Sequence, residues 1–168
     1  MITTFEEIKK KLKLQPLPEE GGFYSETYRS SELIPKSCLP KRFNSSRAFA
    51  TAIYYALTPD TYSAIHRLPT DEVYNFYLGD PVEMLQLNPD GMGTQFILGD
   101  DIMAGMHPQL VVPKGVWQGS RLVPGGKFAL LGTVVAPGFE FADYHAGRKE
   151  ELVVRFPQFR DLIQLLTR

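Results

Sequence analysis

Apolar and polar residues alternate in short runs through the middle of the chain. From Ala48 onward come FATAIYYALT, YSAIHRL, EVYNFYLG, VEMLQLN, TQFILG, PQLVVP, VWQGSRL and KFALLGTVVA, each rich in β-branched and aromatic residues. A period of two is that of a strand with one buried face. Eight such runs within about ninety residues predict a sandwich or barrel rather than strand-helix-strand units. The separators, among them Pro59-Asp60, Gly79-Asp80-Pro81 and Pro124-Gly125-Gly126, carry the residues that turns require. Asn88-Pro89-Asp90-Gly91 is the clearest hairpin.

The ends follow another rhythm. Thr4 and Glu7 form a capping-box pattern, and Phe5, Ile8 and Leu12 recur at helical spacing, so residues 4–13 are expected to form a short helix lying on the core. Pro16 and Pro18 block its continuation, Gly21 and Gly22 permit a tight bend, and FYSETYRS alternates as a strand does. Residues 31–47 read as a long polar loop. After Pro137-Gly138 the stretch ending in ELVVRF reads as a helix, and Pro157 opens another that carries Phe159, Leu162, Ile163 and Leu166 on one side. With no internal repeat and no linker, one domain over residues 1–168 is expected.

Composition narrows the classes of function. Eighteen basic and nineteen acidic residues leave a net charge of -1, which exerts no broad pull on nucleic acid or anionic lipid. Cys38 is the only cysteine, so no internal disulfide and no Cys-rich zinc site can form. The N-terminus lacks a signal-peptide pattern, and no apolar run approaches the roughly 20 residues of a membrane span, so a cytoplasmic protein is expected.

The segment SAIHRLPTDEVYNFYLGDP, residues 63–81, concentrates the candidate chemistry. Alternation on a strand points His66 and Leu68 the same way, and the following hairpin returns Glu72 to the same space. Asn75 is expected to face this region as well. Farther on, Pro113-Lys114-Gly115 makes a turn that brings Trp117 and Gln118 onto the next strand. One imidazole, one carboxylate and an amide oxygen form a poor set for a transition metal. A weak divalent-metal site on His66, Glu72 and Gln118 is therefore the alternative to a site with no metal.

LQPLPEEGGFYSETYRS, TAIYYALTP, SAIHRLPTDEVYNFYLGDPVEMLQL, VVPKGVWQGSRL and VAPGFEFADYHAGRKEEL, in this order, resemble the cupin 5 family, DUF985. The resemblance covers nearly the whole chain. It implies an all-β double-stranded β-helix, the cupin jelly roll, with short N-terminal and C-terminal helices. It also implies a homodimer and a barrel pocket similar to those of sugar-nucleotide epimerases of the RmlC type. Against the general cupin pattern of three histidines and a glutamate, Leu68 and Gln118 stand at two histidine positions.

Two readings of the pair follow. His66, with an ordinary pKa of about 6.5, is a general base oriented by Glu72, or the two form a buried hydrogen-bonded pair without catalysis. Tyr28, Tyr77 and Tyr144 are candidates for an opposing acid. Arg29 or Arg67 would hold phosphate if the ligand is a nucleotide sugar, and Glu26 lies beside Arg29 on the early strand. Trp117 and Gln118 are candidates for a pocket wall, weighed against a core position for Trp117. Phe139, Phe141 and Tyr144 close the pocket or pack a partner, with core packing expected for the two phenylalanines. His107 and His145 are expected at the surface. The expected ligand is a sugar or nucleotide sugar, turned over by a metal-independent isomerase or epimerase. The alternatives are a metal-dependent enzyme and a non-catalytic sensor.

Overall fold

The computed structural model describes residues 4–168. The first helix, α1 (Phe5–Leu12), is followed by strands β1 (Gln15–Pro16), β2 (Phe23–Arg29), β3 (Leu33–Ile34), β4 (Arg47–Ala48), β5 (Thr51–Leu57), β6 (Tyr62–Arg67) and β7 (Glu72–Gly79). Then come β8 (Val82–Leu87), β9 (Gly93–Leu98), β10 (Gln109–Val112), β11 (Trp117–Leu122), β12 (Ala129–Val135) and β13 (His145–Ala146). Helices α2 (Lys149–Arg155) and α3 (Arg160–Leu165) end the chain. All eight central apolar runs are strands, FYSETYRS supplies β2, and Asn88–Gly91 joins β8 to β9.

Two antiparallel sheets make the jelly roll. One runs β1-β2-β5-β12-β7-β10 and the other β13-β6-β11-β8-β9. Tyr55, Leu57, Tyr74 and Leu131 from the first meet Met84, Leu98 and Leu122 from the second in one apolar cluster. Burying side chains of this size stabilises the fold by roughly 1.5–3 kcal/mol each. The outer face of the five-stranded sheet is also apolar at Ile65, Leu85 and Leu87, and α2 and α3 cover it with Leu152, Phe156, Leu162, Ile163 and Leu166.

At the other end α1 seats Ile8 against Leu14, Ala56 and Leu130. Its first turn is held by the capping box, in which Thr4 accepts from the Glu7 amide and Glu7 accepts from the Thr4 amide at 2.8 Å. Left-handed Lys13 ends the helix. Residues 31–47 depart from the expectation of a simple polar loop. They include β3, a 3-10 turn at Lys36–Cys38 and the start of β4, and they bury Phe43 and Arg47. Among the described residues no helix is long and apolar enough to cross a membrane.

Candidate functional site

A bend in the β6–β11 ladder builds the floor of the site. Gln118 pairs with His66, yet two residues later Ser120 pairs with Ser63, three residues earlier, so β6 carries one extra residue. Such a bulge re-aims side chains. His66 faces a cavity of about 260 Å³ lined by Glu20, Leu68, Glu72 and Thr133, while Ile65 points outward under α2 and α3.

His66 is 1% exposed, and the hydrogen bonds of its ring set its tautomer. Nδ1 lies 2.8 Å from the Ala64 carbonyl oxygen, so the neutral ring carries its proton there. Nε2 is then an acceptor, and the Gln118 amide donates to it at 2.8 Å. The same amide nitrogen lies 3.1 Å from Glu72 Oε2 and 3.0 Å from the Tyr74 hydroxyl. Gln118 is thus the hub of a buried network, and its own Oε1 has no partner.

Glu72 is buried, and that burial, reinforced by the nearby Glu20 carboxylate, raises its pKa to about 8 despite a hydrogen bond with Thr133. At neutral pH it is chiefly a neutral acid. Glu20 comes from the Pro18–Gly22 turn, where Glu19, Gly21 and Gly22 all have positive φ. A Cβ on Gly21 would lie 2.4 Å from the Tyr62 carbonyl oxygen, so the turn needs glycine for close approach as well as for φ. The turn is tied down from both sides: Tyr55 donates to the Gly21 carbonyl at 3.0 Å, and Ser63 donates to Glu20 Oε1 at 2.8 Å. Glu20 Oε2 is left 3.8 Å from His66 Nε2.

Aromatic rings complete the walls. Tyr144 stacks on His66 with centroids 4.8 Å apart and planes 26° apart, and Tyr24, Phe139 and Phe141 line the same space. Burial first, and then Glu20, push the Tyr144 phenol above the usual tyrosine range. Phe141 is exposed, so the expectation of core packing does not hold for it.

The structure brings together only part of the expected site. His66, Glu72 and Gln118 converge, and Glu26 and Arg29 line the cavity with them. Asn75 does not: three residues after Glu72, it falls on the opposite face of β7 and accepts from Gln109 at 2.9 Å on the neighbouring strand. Tyr28 and Tyr77 are 54% and 50% exposed and are not among the lining residues. Trp117 precedes Gln118 and therefore points the other way, packing under the C-terminal helices with Arg67 over its ring at 4.5 Å. Arg67 is likewise outside the cavity lining. His145 is exposed, and His107 is half-buried against Phe96. Glu19 and Glu20 are cavity carboxylates that motif reasoning missed, although PLPEEGG displays them between the prolines and glycines of their turn.

Comparison with known proteins assigns the family. The profile described as Cupin superfamily (DUF985) matches residues 6–147. The chain belongs to this cupin family. It is 32% identical over 136 residues to the uncharacterized protein YML079W of Saccharomyces cerevisiae, a match covering 74% of this chain and 66% of the yeast protein's length. Among solved structures it is similar to protein SO0799 of Shewanella oneidensis, with TM-score 0.87, 34% identity and 99% of each chain covered. A hypothetical protein from Leishmania major gives TM-score 0.87 and 28% identity, over 98% of this cupin and 99% of that chain. Oxalate decarboxylase of Bacillus subtilis, described with Mn(II) centers, gives TM-score 0.52 and 16% identity, over 91% of this chain and 37% of that one. This last likeness is one of fold alone.

A resident metal can be tested against the donors present in this cupin. The Gln118 amide nitrogen, which offers two protons and no lone pair to a cation, occupies the point where His66 Nε2 and Glu72 converge. Binding a cation there would also require Glu72 to give up the proton that its burial favours. Among the described residues no group of three or more His, Cys, Asp or Glu side chains is placed to hold a metal ion. This arrangement does not fit a tightly held metal.

Proposed function

We propose that this cupin, as one domain over residues 1–168, binds a sugar-sized polyhydroxylated carbonyl compound and moves protons on it without a metal, as an isomerase or epimerase does. The observation that carries the reading is that Glu20 lies 3.8 Å from His66, and Glu72 is joined to His66 through the Gln118 amide, inside one aromatic-walled cavity. Two carboxyl groups in unlike environments divide naturally into an acid and a base. Glu20 Oε2 is the base: it takes the proton from the carbon next to the carbonyl, whose electron pair moves to form the enediol double bond. Glu72 supplies the proton that the carbonyl oxygen gains. As a proton returns to carbon from Glu20, at the neighbouring position or on the opposite face, the enediol hydroxyl that becomes the carbonyl gives its proton to the Glu72 carboxylate, so both groups end as they began. His66, with its Nε2 lone pair held by Gln118, orients this array and acts as a base itself only when that bond opens.

Charge favours a sugar over a nucleotide sugar. Glu19, Glu20 and Glu26 line the cavity, and its one arginine is already spoken for. Arg29 donates to both oxygens of Glu26 at 3.1 and 2.9 Å and to Glu140 at 2.8 Å. A phosphate would have to displace these partners, whereas sugar hydroxyls donate readily to carboxylates and sugar rings stack on tyrosine and phenylalanine.

The homodimer belongs to the same proposal. Tyr28, Tyr77, Val111 and Val134 are all exposed on strands of the six-stranded sheet, an apolar surface that a second copy would cover.

Incubation with unphosphorylated aldoses and ketoses in deuterated water tests the activity. Deuterium entering a carbon next to the carbonyl is the expected result. Saturable binding with no incorporation would replace the enzyme by a sensor.

A further inference from the structure

The chain between Ala136 and Gly147 runs from one sheet to the other and contributes Phe139, Phe141 and Tyr144 to the cavity. Its first part is tied to the β6–β7 loop, β4 and β5: Ala136 accepts from Thr70 at 2.9 Å, Gly138 donates to the Ala48 carbonyl at 2.8 Å, and Phe139 donates to Thr51 at 3.0 Å. Its last part joins the five-stranded sheet, where His145 and Ala146 pair with Arg67 and His66. Between these anchors a 3-10 turn, Phe141–Asp143, leads directly into Tyr144.

That turn is clamped from below. Arg47 is 0% exposed and Asp143 4%. The guanidinium donates from Nε to Asp143 Oδ2 at 2.9 Å and from Nη2 to Oδ1 at 2.5 Å. Its other protons go to the Ser45 and Ser46 carbonyls and to Asn44 Oδ1, and the Phe43 ring lies 5.3 Å away. Every donor of the arginine is used, and Arg47 is not among the residues lining the cavity.

A buried ion pair is a weak source of net stability, because desolvation offsets its attraction and apolar residues of similar volume often serve as well. What a two-bond guanidinium–carboxylate pair supplies is direction, since both the distance and the angle of the carboxylate are set. The residue after that carboxylate is the one whose ring lies on His66.

We propose that Arg47 is a positioning residue for this site, acting through Asp143 to hold the Phe141–Asp143 turn so that Tyr144 stacks on His66. The inference builds on the reading of the His66 cavity as the functional site, but its test reads the stacking itself. A failure to exchange deuterium into sugars would therefore leave it standing.

Proton NMR of the histidine rings provides the readout, since the chain has three histidines and His107→Gln and His145→Gln identify the other two. A ring stacked on His66 shields its protons, so Tyr144→Leu moves them downfield and marks the unstacked position. In Asp143→Asn, and in the apolar pair Arg47→Met with Asp143→Leu, the His66 signals are expected to move at least halfway to that mark, with His107 unmoved. A folded variant of either kind whose His66 signals stay in place overturns the proposal. Loss of the fold in both variants also overturns it, because the pair would then be a support of the fold.

Discussion

Gln118 donates to His66 Nε2 at 2.8 Å, and this bond decides what the site can do. It takes up the imidazole lone pair that a metal would use and gathers Glu72 and Tyr74 around the same amide nitrogen. The substitution that most changes the chemistry is therefore Gln118→His. It places a second imidazole beside His66 and Glu72, and it should raise affinity for a divalent transition metal by about tenfold or more over wild type. Titration calorimetry on chelator-treated protein measures the difference. Equal, tight binding by wild type would show that the amide does not block the site.

Glu72 gives the site a characteristic pH dependence. Its pKa is raised from 4.5 to about 8, first by burial and then by Glu20. Between these values the folded protein retains a proton that the unfolded chain has lost. The stabilisation is therefore complete below about pH 4.5 and declines as pH rises toward 8. At roughly 1.4 kcal/mol per unit of pKa, the contribution is on the order of a few kcal/mol. Thermal melts should show Tm falling over this window in wild type and a flatter profile in Glu72→Gln, which imitates the neutral acid. Parallel profiles would mean that Glu72 ionises freely.

Arg29 should ignore phosphate while Glu26 and Glu140 hold it. Wild type is expected to bind inorganic phosphate and uridine diphosphate no better than background. Freeing the guanidinium with Glu26→Gln and Glu140→Gln together should raise phosphate affinity by about tenfold, the worth of one charge-assisted bond of roughly 1.5 kcal/mol. Tight binding of uridine diphosphate by wild type would restore the nucleotide-sugar reading.

Alternation and turn chemistry made an all-β sandwich or barrel legible in the sequence, since every central apolar run became a strand, while the jelly roll itself was implied by the family resemblance. The same parity rule places Trp117 and Asn75 once a neighbour's direction is known: Gln118 inward implies Trp117 outward, and Glu72 inward implies Asn75 outward. The error over Asn75 lay in grouping residues by motif when the side-chain period should have separated them. Glu20 was harder to see. It reaches His66 through a turn that depends on Tyr55 and Ser63, both far away in sequence, and no local pattern reports such contacts. Arg47 was concealed in another way, for an arginine in a polar stretch reads as solvated until its partner 96 residues away is known.

The central claim is that Glu20 and Glu72 exchange protons with a carbonyl compound and need no metal. Its most direct test is deuterium incorporation from solvent into unphosphorylated sugars by chelator-treated protein, followed by mass spectrometry, with Glu20→Gln and Glu72→Gln alongside. The account predicts incorporation next to the carbonyl by wild type and a loss of about a hundredfold or more in each variant. Incorporation that disappears on chelation and returns with added metal, or that survives in both variants, would contradict it.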